Sequence, residues 1–260
     1  MTEPPRKPES GEQSETGQTL LSHLVELRSR LLRSIVVVVV VFVGLFPFAN
    51  RLYSWMALPL MSRLPEGTQM VAIDVVTPFL TPLKLAFFVA IFVAMPYLIY
   101  QAWAFVAPGL YRHEKRMASP LLASAIVLFY VGCAFAYFVV LPLVFGFLTA
   151  TVPEGVSMMT DIAKYLDFVL LMFLVFGVCF EIPVATVILV MLGVTTPEQL
   201  AASRRYVILG AFVVAAIVTP PDALSQILLA VPMCILFEIG LIAARGVARR
   251  KAKEDAATSG

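Results

Sequence analysis

Six stretches of the chain stay apolar long enough to be read as membrane crossings: 31–49, 79–105, 120–144, 165–192, 206–218 and 223–244. A helical crossing takes about 20 residues, because the hydrocarbon core is about 30 Å thick and each residue rises about 1.5 Å. Lipid offers the backbone no hydrogen-bond partner, so each stretch is predicted to be helical. The connections carry turn formers: Pro108-Gly109, Pro153-Glu154-Gly155, Gly193 followed by Thr195-Thr196-Pro197, and Thr219-Pro220-Pro221-Asp222. Thr196-Pro197-Glu198-Gln199 reads as a capping box, with Thr at the N-cap, Pro at the first helical position and Gln at the third. A helix is expected to restart there, so that the fifth span begins as an interfacial turn.

The fold class that follows is all-α: a polytopic membrane protein with six transmembrane helices in a cupped bundle, the last two helices short. Residues 206–218 number 13, about 20 Å of helix. In the sixth stretch the unbroken apolar run, 227–237, is 11 residues and ends at Glu238. A hairpin of two such helices is expected to thin the lipid beside it. Pro82, Pro96, Pro142, Pro183 and Pro232 recur inside spans. Each removes a backbone donor and tends to bend its helix, and several together favour a cup. Three regions are expected: a disordered polar tail at 1–18 that is kept in the mature protein, a transmembrane domain at 19–243 and a basic tail at 244–260.

Composition excludes an ordinary soluble domain: 60% of residues are apolar and 14% charged, against roughly 45–50% and about 25% in soluble proteins. The formal net charge of +2 conceals a strong asymmetry. Of the 19 Lys and Arg residues, 15 fall before span one, after span two, after span four or at the C-terminus, all on one side of the predicted topology. The positive-inside rule then puts both termini in the cytoplasm. Cys133, Cys179 and Cys234 stand singly in separate apolar runs, which gives neither a disulfide framework nor a CxxC site.

Several polar residues stand out against this background. Residues 20–33 form an amphipathic helix, with Leu20, Leu24, Leu27 and Leu31 on one face and His23, Glu26, Ser29, Arg30 and Arg33 on the other. Glu26 is open to two readings: an i,i+4 salt bridge to Arg30, or a carboxylate offered to a cationic ligand. Glu114, the only acid in the turn after Pro108-Gly109, is either neutralised by Arg112 or Lys115 or available in the same way. Two lone carboxylates at one membrane face suit two guanidinium groups, which pair bidentately with carboxylates. Glu181 lies near the middle of span four, where a buried acid costs about 2.5–3.5 kcal/mol and is a functional candidate by default. Its structural alternative is a Glu that braces the carbonyl freed by Pro183. Gln226, Thr219 and Glu238 add polarity to the last hairpin, suited either to cross-helix hydrogen bonds with another subunit or to a wet interior. Lys84 is read as snorkelling to the outer surface. The chain carries no GxSxG, HExxH or P-loop motif, so neither an enzyme nor a cofactor is expected. His23, Glu26, His113 and Glu114 form the one conceivable metal set, and no metal is expected there.

The combination of His23-Leu24-Val25-Glu26-Leu27-Arg28, Tyr100-Gln101-Ala102-Trp103-Ala104-Phe105 leading to Ala107-Pro108-Gly109-Leu110-Tyr111, Phe180-Glu181-Ile182-Pro183 and Thr219-Pro220-Pro221-Asp222 closely resembles the TatC family. These proteins are the multispanning subunits of the twin-arginine protein translocase. The resemblance runs over about 20–241, all six spans. It implies a receptor for the twin-arginine signal peptides of folded cargo in the bacterial inner membrane. Such a receptor works with single-span TatA and TatB partners, with other copies of itself and with the proton-motive force, and has no nucleic-acid partner. It also implies that Glu26 and Glu114 recognise the signal, that Glu181 faces the cup within the membrane, and that Thr219 and Gln226 contact a partner helix. The competing class is a proton-coupled small-solute transporter using Glu181 and Lys84, although spans five and six have no counterpart of similar length in the first half. A third class is an assembly scaffold, in which Gln226 and Thr219 would matter and the cytoplasmic carboxylates would not.

Overall fold

Apolar sequence, prolines and small residues decide where each helix starts, breaks and packs. The computed structural model describes residues 11–61, 70–106, 115–151, 160–218 and 223–258. Helix α1 (Gly11–Leu45) passes through a short 3₁₀ turn at Phe46–Phe48, where Pro47 interrupts the helical hydrogen bonding, into α2 (Ala49–Met61). The second span is one helix, α3 (Thr77–Val106), despite Pro82 and Pro96. The third is α4 (Lys115–Phe135), a π-helical turn at Ala136–Val140 and α5 (Leu141–Ala150). Pro142 sits just beyond that turn, so wide hydrogen bonding rather than a sharp kink absorbs the missing donor.

The fourth span breaks in two. Helix α6 (Ile162–Cys179) ends at a turn of Phe180 and Glu181, and α7 (Ile182–Met191) restarts with Pro183 in its first turn, where a missing N–H is tolerated. Then come α8 (Pro197–Ala202), α9 (Arg204–Val218) and α10 (Ala223–Thr258). The Thr196 capping box forms as expected: its hydroxyl accepts from the Gln199 N–H at 3.3 Å, and Gln199 Oε1 accepts from the Thr196 N–H at 3.0 Å.

Five helical stretches among the described residues are long and apolar enough to cross a membrane: Leu24–Met56, Thr77–Phe105, Ser119–Phe147, Ile162–Met191 and Gln226–Arg250. The sixth, α9, has 15 residues, about 22 Å, and is short as anticipated. The last helix, α10, runs 36 residues without a break, of which residues 223–238 lie alongside α9 and 239–258 continue past the start of α9. Glu238 is level with the start of α9, with Arg204 Nε 2.6 Å from Glu238 Oε1. Helix α1 begins at Gly11, inside the tail expected to be disordered through residue 18. Once a helix is nucleated, adding a polar residue such as Glu or Gln to its end is nearly neutral.

A two-residue parallel pairing, β1 (Met70–Val71) with β2 (Thr160–Asp161), ties the segment before α3 to the start of α6 at the face opposite the termini. The core lies in three zones. Trp103, Val187, Met191 and Ala244 pack at the terminal face, a large cluster around Phe176, Met172 and Val140 fills the middle, and Leu85, Leu166 and Leu170 close the far end. The broken fourth span is the centre of this arrangement, half buried within the protein, whereas the first span is almost wholly unburied and α1 lies at the rim against α3.

Glycines permit the closest approaches. A Cβ at Gly132 of α4 would stand 2.5 Å from the Phe176 carbonyl oxygen on α6. One at Gly177 of α6 would stand 2.5 Å from the Phe129 ring of α4, so the two helices seat against each other at a pair of small residues. The expected lipid thinning is tested at α9. Spin labels along α9 are expected to report a hydrophobic thickness several ångströms below that along α3, in line with a helix about 22 Å long in a core of about 30 Å. Equal thickness at both helices would count against it.

Candidate functional site

Glu26 lies on α1 within the terminal third of the span, with its side chain 40% exposed. Arg30, one helical turn on, reaches back with Nη2 at 2.5 Å and Nε at 3.1 Å, both to Oε1. The salt bridge expected from spacing is therefore present, and Oε2 accepts no hydrogen bond among the described residues. Arg30 is not tied to Glu26 alone. Its Nη1 donates to Gln101 Oε1 of α3 at 3.3 Å, and Gln101 Nε2 donates to the Tyr97 hydroxyl at 2.6 Å. Gln101 is buried, so the chain Tyr97–Gln101–Arg30–Glu26 fastens the amphipathic start of α1 to the end of α3 and fixes the position of the carboxylate. The sequence marked Glu26 and Arg30 but not Gln101 as their anchor. The available signal was a lone amide four residues after a tyrosine within an apolar span.

Glu114 lies outside the described residues and immediately precedes Lys115, the first residue of α4. Helix α3 ends at Val106 on the face where Arg30 meets Gln101, so the connection that carries Glu114 starts from the Glu26 end of the bundle.

Glu181 occupies the turn between α6 and α7. Its Oε1 is buried and has no hydrogen-bond partner among the described residues. The carbonyl bracing expected as its structural alternative does not involve this atom. Near Pro183 it is Thr186 that acts, its hydroxyl donating to the Pro183 carbonyl at 2.8 Å. A buried carboxylate oxygen without a donor is uncommon in proteins.

At the far side of the bundle Gln226 of α10 donates to the Phe212 carbonyl of α9 at 3.0 Å, which pins the short helix to the long one. Thr219 lies outside the described residues. Lys84 does more than snorkel: its Nζ lies 2.5 Å from Asp167 Oδ1 of α6, a partner that sequence spacing does not mark. Lys84, one of the two intramembrane groups of the transporter reading, is thus ion-paired with Asp167. Among the described residues no three His, Cys, Asp or Glu side chains group closely enough to hold a metal.

The family model for the Sec-independent protein translocase protein (TatC) matches residues 22–232. The chain is 56% identical over 228 residues to the Sec-independent protein translocase protein TatC of Haemophilus influenzae, covering 88% of this chain and 89% of that one. The chain belongs to the TatC family. The corresponding protein of Escherichia coli K12 is 54% identical over 231 residues, 89% of this chain and 90% of the relative. A crystal structure of the twin-arginine translocase receptor TatC superimposes with a TM-score of 0.76 at 37% identity, covering 86% of this chain and 98% of that one. This TatC-family chain is therefore a multi-pass membrane component of the Tat protein translocase, with a transport role and the helical bundle of that family.

The anchor of Glu26 has a measurable consequence. Gln101→Leu removes the amide that holds Arg30 and is expected to lower the affinity of this face for an arginine-bearing ligand about a few-fold, less than the loss of a hydrogen bond made directly to a charged group. Titration of the variant in nanodiscs measures this. An unchanged affinity would show that Arg30 needs no support from α3.

Proposed function

We propose that this chain is the receptor for twin-arginine signal peptides within the Tat translocase. The observation that carries the reading is the anchored Glu26: a part-exposed carboxylate at the termini face, held in place from α3 and with Oε2 unengaged among the described residues. One guanidinium of the signal pairs with Glu26 and the other with Glu114, whose connection starts at the same end of the bundle. A guanidinium offers two parallel N–H donors to a carboxylate and an ammonium does not, so the site distinguishes arginine from lysine by geometry as well as charge. The apolar part of the signal then lies along the bundle near Glu181.

The same reading assigns the remaining parts. Residues 219 and 226 meet the helix of a single-span TatA- or TatB-type partner, and Gln226 retains its side-chain oxygen for a donor from that helix. Other copies of the chain join the same hetero-oligomer. The membrane is the bacterial inner membrane with both termini cytoplasmic, as supported by the 15 cationic residues on the termini side. The proton-motive force supplies the energy, about 2.3 kcal/mol per charge per 100 mV.

The test is the affinity of the purified chain in lipid nanodiscs for a signal peptide with paired arginines against the same peptide with paired lysines. A preference of about ten-fold or more is expected from the loss of bidentate, charge-assisted bonds. Equal affinities would overturn the receptor reading.

A further inference from the structure

At the face opposite the termini, α1, α3 and α6 enclose a half-open cavity of about 500 Å³, within the range of roughly 300–1,000 Å³ typical of small-ligand pockets. Phe42, Leu80 and Phe87 give it apolar walls, and Asp74, Lys84 and Asp167 give it charge. Helix α3 has 30 residues, about 45 Å, which matches the bilayer including both headgroup layers. Lys84 lies seven residues inside the α3 start at Thr77, about 10 Å along the axis and just below the headgroup layer.

The charges in this cavity are not balanced from within. Lys84 and Asp167 form an ion pair, yet both side chains remain about half exposed, at 47% and 46%. An ammonium has three donors, so Lys84 can bond a second acceptor without releasing Asp167. Asp74 has no cation among the described residues; its Oδ1 accepts only the Val76 N–H at 3.5 Å. One shared cation and one carboxylate without a cation among the described residues thus line the same apolar-walled space, at and just below the headgroup layer.

The geometry points to a binding site for the headgroup of a zwitterionic aminophospholipid of the phosphatidylethanolamine type. The phosphate bonds Lys84, the primary ammonium bonds Asp74, and the acyl stem lies against Phe42, Leu80 and Phe87. Charge complementarity selects this occupant. An anionic phospholipid satisfies Lys84 but leaves Asp74 facing a further negative charge. A choline headgroup carries the right charges, but its methylated nitrogen has no N–H to give to Asp74.

The experiment is native mass spectrometry of the full chain released from detergent in the presence of phosphatidylethanolamine, phosphatidylcholine and phosphatidylglycerol with identical acyl chains. Phosphatidylethanolamine adducts are expected to exceed either of the others by about five-fold or more, the scale of a part-exposed charge-assisted bond. Stepwise N-methylation of the ethanolamine should erode that excess in the unmutated protein, a comparison that needs no variant to fold. Asp74→Asn should bring phosphatidylethanolamine down to the level of phosphatidylcholine, and Lys84→Gln should lower all three. Equal retention of the three lipids, a preference for phosphatidylglycerol, or an Asp74→Asn protein that keeps the original preference would each overturn the assignment.

Discussion

Glu26→Gln is expected to weaken binding of a paired-arginine signal peptide by about ten-fold or more, and the double variant with Glu114→Gln by more than either change alone. Glutamine keeps the size of the side chain but loses the charge that strengthens each N–H bond from a guanidinium. A hydrogen bond to a charged group contributes about 1.5–3 kcal/mol, and about 1.4 kcal/mol is a factor of ten in affinity. Stability should hardly move, because the bridge lost within α1 is a part-exposed i,i+4 pair worth about 0.3–0.5 kcal/mol. The two readouts separate recognition from folding. A double variant that binds the peptide with undiminished affinity in nanodiscs would remove both carboxylates from the recognition step.

The second large effect concerns two glycines that should respond oppositely to the same change. In a helix, replacing Gly by Ala ordinarily stabilises by about 1 kcal/mol. At Gly246 of α10 an added methyl carbon would meet nothing within 4 Å, so Gly246→Ala should leave the melting temperature unchanged or raise it. At Gly132 the added carbon would lie 2.5 Å from the Phe176 carbonyl oxygen and 3.0 Å from Phe180 Cβ. A backbone oxygen cannot rotate away, so α4 and α6 must move apart. Overpacking of this kind costs about 1–3 kcal/mol and outweighs the helical gain. Gly132→Ala should therefore melt several degrees lower in detergent. Thermal shifts of the same sign for the two variants would contradict this account of the α4–α6 contact.

What could be read from the sequence divides along a physical line. Local signals were legible: the apolar runs, the shortness of α9 and the Thr196 capping box each depend on residues a few positions apart, and each is found as expected. The Glu26–Arg30 bridge belongs with them. Pairings between distant residues were not legible. Arg30 meets Gln101 across 71 positions, Lys84 meets Asp167 across 83, and Arg204 meets Glu238 across 34. The last of these sets the level of Glu238 against α9. The glutamate ends the apolar run at the level where α9 begins, and α10 continues beyond it as a helix. Of the expected site residues, the identity of Glu26 was evident and its support from α3 was not, since that support depends on how two spans lie against each other.

The break at Phe180 and Glu181 has a mechanical consequence. Helix α6 packs mainly on α4, whereas α7 packs mainly on α10. The fourth span is thus two rods belonging to two different pairs, joined by a two-residue elbow in which Glu181 sits. Bending or sliding of α10 carries α7 with it directly, whereas α6 responds through that elbow and through the apolar core that Met172 and Phe176 of α6 share with Leu229 and Met233 of α10.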